Sequence, residues 1–361
     1  MIVNKAYRYE LKPNKTQQRL LKKHAGCARF AWNWGLSERK ELYEKEKRNT
    51  NAIELHRRLN SLKQTDYSWM YEVSKCAPQE AIRDLDRAFK NFFEGRAKHP
   101  KYKKKGFHDS FRLTGTIKVS EKHVQLPRFR KIRLKEKPEV GGQILSATVS
   151  READRWYVSL TVKEEISEPE PLYTEPVGAD LGLLDYMVFS DGEKIKPPKS
   201  LEKKLQKLKR LSKQHSRKQK GSNNRRKSAL KLAKLHRKIK NERRDFLHKL
   251  TTRLAKTKSA IVMEDLSVQN MIKNRHLSRH IADAGWGEFR RMLEYKTKWY
   301  GSKLVIAPRF YPSSKKCSKC GYELPELRLS TREWKCPYCN AYHDRDINAA
   351  KNLLQYYTAV A

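Results

Sequence analysis

No stretch of this 361-residue chain approaches 18 consecutive apolar residues, which excludes a membrane-spanning helix. Its opening residues, MIVNKAYRYELKP, lack the charged-then-apolar pattern of a secretory signal, so an intracellular setting is expected. Cysteine is scarce, six in all, and inside a cell so few are a poor basis for disulfides. Acids are short as well: 40 Asp and Glu stand against 81 Lys and Arg, a formal +41. Such a chain repels itself and is best tolerated when a polyanion neutralises it. The excess is spread along the sequence, which favours extended contact with phosphate backbones. Composition alone leaves room for a ribosome-associated or generally adhesive basic protein. The length suffices for two or three domains with full cores.

What is present begins with four of the cysteines. Cys317, Cys320, Cys336 and Cys339 form Cys-x-x-Cys, a 15-residue gap and a second Cys-x-x-Cys, the spacing of a zinc ribbon that holds structural Zn²⁺. His343 follows closely, but four thiolates already complete a tetrahedral site. Cys27 and Cys76 stand alone and read as small buried hydrophobes.

Residues 2 to 11 alternate as a strand, and Pro13 and Asn14 open a helix with apolar residues at Leu20, Leu21, Phe30, Ala31 and Trp34. CAPQEAIRDLDRAFKNFFEG predicts a second helix, with Pro78 in its first turn, Gly95 at its end and Ile82, Leu85, Phe89 and Phe92 as its buried stripe. On its other face Gln79, Arg83 and Lys90 lie nearly in line, able to read base edges and phosphate or simply solvated. RAKHPKYKKKGFH is a basic loop suited to nucleic-acid backbone. From about 111 to 164 the chain alternates apolar and polar in five short runs, a small antiparallel barrel or sheet that the N-terminal strand could complete. An acidic, Pro-containing linker follows over 164 to 176.

Beyond it, VGADLGLLDYMVFSDGEKI predicts a strand, a turn, a second strand and an Asp191-Gly192 hairpin. Residues 199 to 250 read as a basic helical hairpin, 21 Lys or Arg against Glu202, Glu242 and Asp245, with leucine seams on both arms and a bend at GSNN. Strands SAIVME and KLVIAP flank a further helix, GWGEFRRMLEYKTKWYG.

Three acids stand out. Asp180 sits in the strand VGADLG, Glu264 ends AIVME, and Asp346 starts the helix INAAKNLLQYY. Singly they read as a turn residue, a surface acid and a helix cap. Together they match the RNase H-like nuclease layout, in which carboxylates hold two hard cations about 4 Å apart to clamp the attacking and leaving oxygens of a phosphodiester. Carboxylates suit Mg²⁺ and the cysteines suit Zn²⁺.

At these residues the sequence resembles the TnpB family, the insertion-sequence OrfB proteins, relatives of type V CRISPR effectors. GADLGLLDYMVFSDG resembles the first RuvC motif of that family and IVMEDLSVQNM the second. The segments from FYPSSKKCSKCG to CPYCNAYHDRDINAAKNLL resemble its zinc ribbon and third RuvC motif. AYRYELKPNKTQQRLL and LDRAFKNFFEGRAKHPKYKKKGFHDSFRL extend the resemblance over nearly the whole chain.

The resemblance implies a multidomain α+β protein. Residues 1–12 and 96–165 would form a wedge-like β-barrel and 13–95 a helical recognition domain. Residues 166–312 and 341–361 would form a RuvC/RNase H-like α/β nuclease domain carrying the basic hairpin 199–250, with an inserted zinc ribbon at 313–340. The implied activity is RNA-guided, Mg²⁺-dependent DNA cleavage beside a short flanking motif. The partners would be a guide RNA from the transposon end, the target duplex and its displaced strand, with no membrane, and the RNA-loaded protein a monomer. The implied location is the prokaryotic cytoplasm, at the nucleoid when the protein acts.

Residue by residue, Asp180, Glu264 and Asp346 would bind Mg²⁺ and carry catalysis. Asp346 is chosen over Asp344 because the family's acid stands two residues before the Asn of NAA, here Asn348. Asp344 would support the helix entrance or contact its neighbours, and Asp265 would stand behind Glu264, the ligand. Arg332 would stabilise charge on the scissile phosphate or pair within the ribbon. Lys75 and Gln79 occupy positions resembling flanking-motif contacts, and Arg83 and Lys90 are further nucleic-acid candidates. Two other classes remain open. One is a guide-dependent or direct DNA-binding accessory protein or regulator, whose mark would be an eroded triad; none of the three acids is lost. The other is a strand transposase with a Tyr or Ser nucleophile, but none of the 17 tyrosines sits in a His-rich metal context.

Overall fold

Two units share the chain, Met1–Ile166 and Ser167–Ala361, in a computed structural model that describes residues 1–328 and 330–360. No helix among the described residues is long and apolar enough to cross a membrane.

The first unit starts with β1 (Ile2–Lys12) and then three helices, α1 (Lys15–Glu46), α2 (Ala52–Leu62) and α3 (Cys76–Phe93). Short strands follow: β2 (Ser110–Leu113), β3 (Lys118–Ser120), β4 (His123–Gln125) and β5 (Ile132–Leu134). The long hairpin of β6 (Gln143–Glu152) and β7 (Arg155–Glu165) ends the unit. These strands make one antiparallel sheet in the order β2-β6-β7-β1-β5-β4-β3. β1 enters between the hairpin and the short strands, with Ile2 opposite Glu165 and Leu11 opposite both Trp156 and Leu134. The period-2 pattern sends Val158, Leu160 and Val162 to the face that packs on Leu21, Ala28, Leu55 and Ile82 of the helices. α1 begins with a reciprocal cap, the Asn14 side chain accepting from Gln17 N while Gln17 accepts from Asn14 N.

The second unit opens with β8 (Val177–Leu181), β9 (Met187–Phe189) and β10 (Lys194–Ile195), then the helical arms α4 (Leu205–Ser216) and α5 (Asn223–Thr257). β11 (Ala260–Glu264), α6 (Val268–Met271), α7 (Ser278–Ala284), α8 (Trp286–Tyr300) and β12 (Lys303–Ala307) follow. A hairpin of β13 (Glu333–Lys335) and β14 (Tyr342–Asp344) leads into the last helix, α9 (Arg345–Val360). The central sheet runs β10-β9-β8-β11-β12, parallel across β8, β11 and β12. Parallel strands buried on both faces read as continuous apolar runs, which is why AIVM of β11 is buried throughout. Ile261 and Met263 face α5 and α8, whereas Val262 packs with Leu353 of α9. The basic arms are clasped by His215 Nδ1 on Ser228 Oγ at 2.8 Å and by Arg225 Nη1 donating to Lys218 O at 2.6 Å.

Candidate active site and metal centre

Alternation along β8 and β11 decides which side chains meet. Val177 and Ala179 enter the core under α5 and α8, so Gly178 and Asp180 point to the α9 side. On β11 the same rule puts Val262 and Glu264 there. The parallel register pairs Val262 with Gly178 and Met263 with Ala179, which brings Glu264 beside Asp180 at the C-terminal strand ends. α9 lies close above: a Cβ on Gly178 would stand 1.9 Å from Ala350 O. One turn before Ala350, on the same stripe, is Asp346. The three acids predicted from sequence therefore come together where two parallel strands end and a helix begins, and Glu264 and Asp346 both act electrostatically on Asp180.

Asp180 is partly buried and has no hydrogen-bond or ion-pair partner among the described residues. Burial, then the charges of Glu264 and Asp346, push its carboxyl up to about 8, against the pull of Arg345 and Arg332. Burial also raises Glu264, opposed by the Ser313 hydroxyl that donates to it. Asp346 is met by Arg332 Nη1 at 3.5 Å. An unpartnered carboxylate among like charges is the donor set a hard divalent cation satisfies. The acids are nonetheless less tightly gathered than the thiols: among the described residues, the four cysteines are the one His, Cys, Asp or Glu group close enough to share an ion.

Asp344 and Asp265 have other work. Asp344 Oδ1 accepts from the N–H groups of Asp346 and Ile347, both at 3.0 Å, so Asp344 rather than Asp346 caps α9. Lys194 Nζ donates to its other oxygen at 2.7 Å. Burial would raise Asp344, but Lys194 and the two amides hold it below the usual carboxylate range. Asp265 is clamped by Arg290 and Arg309, each at 2.6 Å, and is likewise held low.

The thiols of Cys317, Cys320, Cys336 and Cys339 lie within 4.8 Å of one another, a tetrad that fits tetrahedral Zn²⁺. Each Cys-x-x-Cys knuckle turns through a left-handed residue, Gly321 (φ 82°) and Asn340 (φ 56°). His343 stays outside the tetrad, its Nε2 at 3.0 Å from Cys317 Sγ. The ribbon is laced to α9 by side chains at i, i+4 and i+7. Asn348 Nδ2 donates to Lys316 O at 2.8 Å, Asn352 Nδ2 to Ser313 O at 2.6 Å, and Gln355 Nε2 to Ser318 O at 2.7 Å. Arg345 Nη1 donates to Arg328 O at 3.0 Å, and Arg332 O accepts from Arg345 N at 2.8 Å. Sequence reasoning missed Ser313, Lys194 and Arg345. Arg345 alone left a trace, a base set between two acids in HDRDIN.

The nucleic-acid candidates sit on α3 in the first unit, away from these acids in sequence. Lys75 is exposed at its start and Gln79 is partly buried. Arg83 is exposed and pairs with Glu80 at 2.7 Å. Lys90 reaches Asp86 at 3.8 Å.

Comparison with known proteins gives consistent matches. The sequence model of the OrfB family of IS605, described as "Probable transposase", matches residues 158–275, and that of a Cas12f1-like TNB domain matches 286–353. A "Helix-turn-helix domain" model matches 1–48, although these residues here form β1 and one continuous helix. A "Putative RNA-guided DNA endonuclease" of Streptomyces pristinaespiralis is 39% identical, over 98% of this chain and 89% of its own. The "Putative RNA-guided DNA endonuclease InsQ" of Escherichia coli K12 is 34% identical, over 97% and 91%. Among solved structures, a CRISPR-Cas12f ternary complex aligns over 94% of this chain and 82% of that one, at 16% identity and TM-score 0.41, a likeness too slight to build on.

Proposed function

Since the chain belongs to the insertion-sequence OrfB (TnpB) family, whose curated members include proteins named as RNA-guided DNA endonucleases, we propose that it is itself an RNA-guided DNA endonuclease cutting through Asp180, Glu264 and Asp346. The convergence of these acids at the C-terminal ends of β8 and β11 carries the reading. In open α/β sheets this edge is where ligands bind.

Asp180, Glu264 and Asp346 would hold Mg²⁺, which when bound supplies an activated water and charge neutralisation on the phosphodiester. The chain's own residues orient the site. Ser313 restrains the Glu264 carboxylate. The Asp344 cap holds the first turn of α9 in place. Arg332, about half exposed beside Asp346, would meet a non-bridging phosphate oxygen. Zn²⁺ in the cysteine tetrad would keep the ribbon, and Arg332 with it, against α9. Gln79, Arg83, Lys90 and Lys75 offer a polar, cationic edge of α3 to the flanking DNA, and the exposed bases of the α4–α5 hairpin suit RNA or DNA backbone.

The test is to purify the protein co-expressed with its native flanking DNA, sequence the RNA that accompanies it, and challenge the complex with a library of randomised targets. A discrete RNA and cleavage beside one short motif are expected. Asp180→Ala should abolish cutting while RNA and target binding persist. A preparation without a discrete RNA would sink the guided reading, and loss of binding along with cutting would make Asp180 a folding residue.

A further inference from the structure

The first unit holds a cavity that the nuclease reading leaves unused. It lies between the C-terminal half of α1, the end of α3 and the segment around His99, with a volume of about 510 Å³, within the range of small-ligand sites. Its walls combine aromatic faces with cations. Phe93 is 70% exposed and Tyr43 55% exposed, and with Phe92 they present adjoining aromatic faces at the cavity. Phe93 stacks on Phe89 at 6.1 Å between centroids, and Phe92 meets Phe93 at 5.4 Å.

Charge surrounds the rings. The Arg39 guanidinium lies 4.5 Å over Phe89 and is tied to Asp86 at 2.7 Å, yet its Nη1, out of reach of solvent, has no hydrogen-bond partner. Lys47 Nζ stands 5.6 Å over the Tyr43 ring. The cavity lining itself carries Arg39, Lys40 and one acid, Glu44, and Lys40, Lys47, Lys98 and Lys101 on the segments around it have no ion-pair partner among the described residues. Exposed aromatic faces flanked by cations match what a nucleotide presents, a π face joined to a phosphate. A purely apolar ligand would leave the cations unused, and a bare anion would leave the rings uncovered.

We propose that this cavity receives one unpaired nucleobase of a single strand bound to the protein, stacked on Phe93 and Tyr43 with its phosphates on the surrounding lysines and arginines. The proposal rests on the nucleic-acid reading above but assigns a site distinct from the acids and from the polar edge of α3.

The probes are fluorescein-labelled dT12, rU12 and an abasic 12-mer of the same charge, titrated by anisotropy into the full-length protein and its Phe93→Ala variant, with melting curves to confirm folding. Wild type should bind at least one base-bearing strand about tenfold more tightly than the abasic strand, the dT12 and rU12 arms telling which sugar is taken. Phe93→Ala, at an exposed position, should lose that preference while binding the abasic strand unchanged. A preference that survives Phe93→Ala, or one absent from wild type, overturns the proposal, as does a variant that weakens all three strands alike. If none of the strands binds in a salt-dependent way, the nucleic-acid reading itself has failed.

Discussion

A methyl group at Gly178 would meet the Ala350 carbonyl oxygen at 1.9 Å and the Leu354 amide at 2.8 Å. Both obstacles are backbone, so the clash cannot be relieved by turning a side chain, and α9 must move. Gly178→Ala is expected to cost at least the ~1–3 kcal/mol typical of an overpacked core, seen as a lower midpoint in urea. It should reduce cleavage more than RNA binding, because Asp346 moves with the helix. Gly287→Ala in α8 meets nothing within 4 Å and serves as the neutral control. His24 makes a different residue-level prediction. It is fully buried, its Nδ1 donates to Leu20 O at 2.9 Å and its Nε2 accepts from Ser74 N at 3.0 Å, so only the neutral ring satisfies both partners. Burial lowers its pKa from 6.5 to about 4. A depressed folded pKa means the stabilising contribution is complete above pH 6.5 and is lost as pH falls toward 4, a loss of about 3 kcal/mol. Hydrogen exchange in β1 and α1 should quicken over that window, and His24→Gln should flatten the dependence; an unchanged acid limb in the variant would assign it to other groups.

At the scale of elements, the ribbon and α9 form one device. Asn348, Asn352 and Gln355 bind the backbone of the first knuckle, and Arg332 reaches from the ribbon to Asp346. Removing the metal that the thiols fit should release this lacing. Chelating the thiol-bound metal and then restoring Mg²⁺ alone is expected to speed exchange over β13, β14 and the first turn of α9, to abolish cleavage with all three acids intact, and to leave β1–β7 protected. Cutting at the normal rate with Mg²⁺ present and the thiol-bound metal fully released would refute the coupling. Much of this was legible in the sequence. Alternation exposed the strands of the first sheet, the apolar run of AIVM gave away a strand covered on both faces, and the cysteine spacing gave the tetrad. α2 and the short 3₁₀ turn at Ser68–Glu72 escaped notice because only Leu55 and Leu59 of α2 are buried, too few to set a period. The acids were visible because each sits in or at the end of a recognisable strand or at the start of a recognisable helix. Ser313 and Lys194 were not, since a partner that arrives from another strand or loop leaves no local pattern, whereas Asp344, expected to support the helix entrance, does so by capping α9.

For the molecule as a whole, the arithmetic of charge governs behaviour. If each of the 40 acids paired with one base, 41 Lys or Arg would still lack a counter-charge. The α4–α5 hairpin concentrates this excess: Lys207, Lys209, Arg210 and Lys213 on α4 are exposed and have no ion-pair partner among the described residues. Positive charge gathered by folding repels itself until a polyanion neutralises it, so RNA should raise the melting temperature. The association should also be strongly salt-dependent, weakening by about 10³–10⁵ between 50 and 200 mM salt if six to ten phosphates are contacted. Changing those four α4 residues to Gln is expected to lower the slope of log affinity against log salt by about three. The same change should leave the residual cleavage of saturated complexes near wild type, because none of the four touches the acids, the ribbon or the first turn of α9. A slope that does not change would mean that the nucleic acid runs elsewhere on the surface and that the hairpin's charge serves another contact.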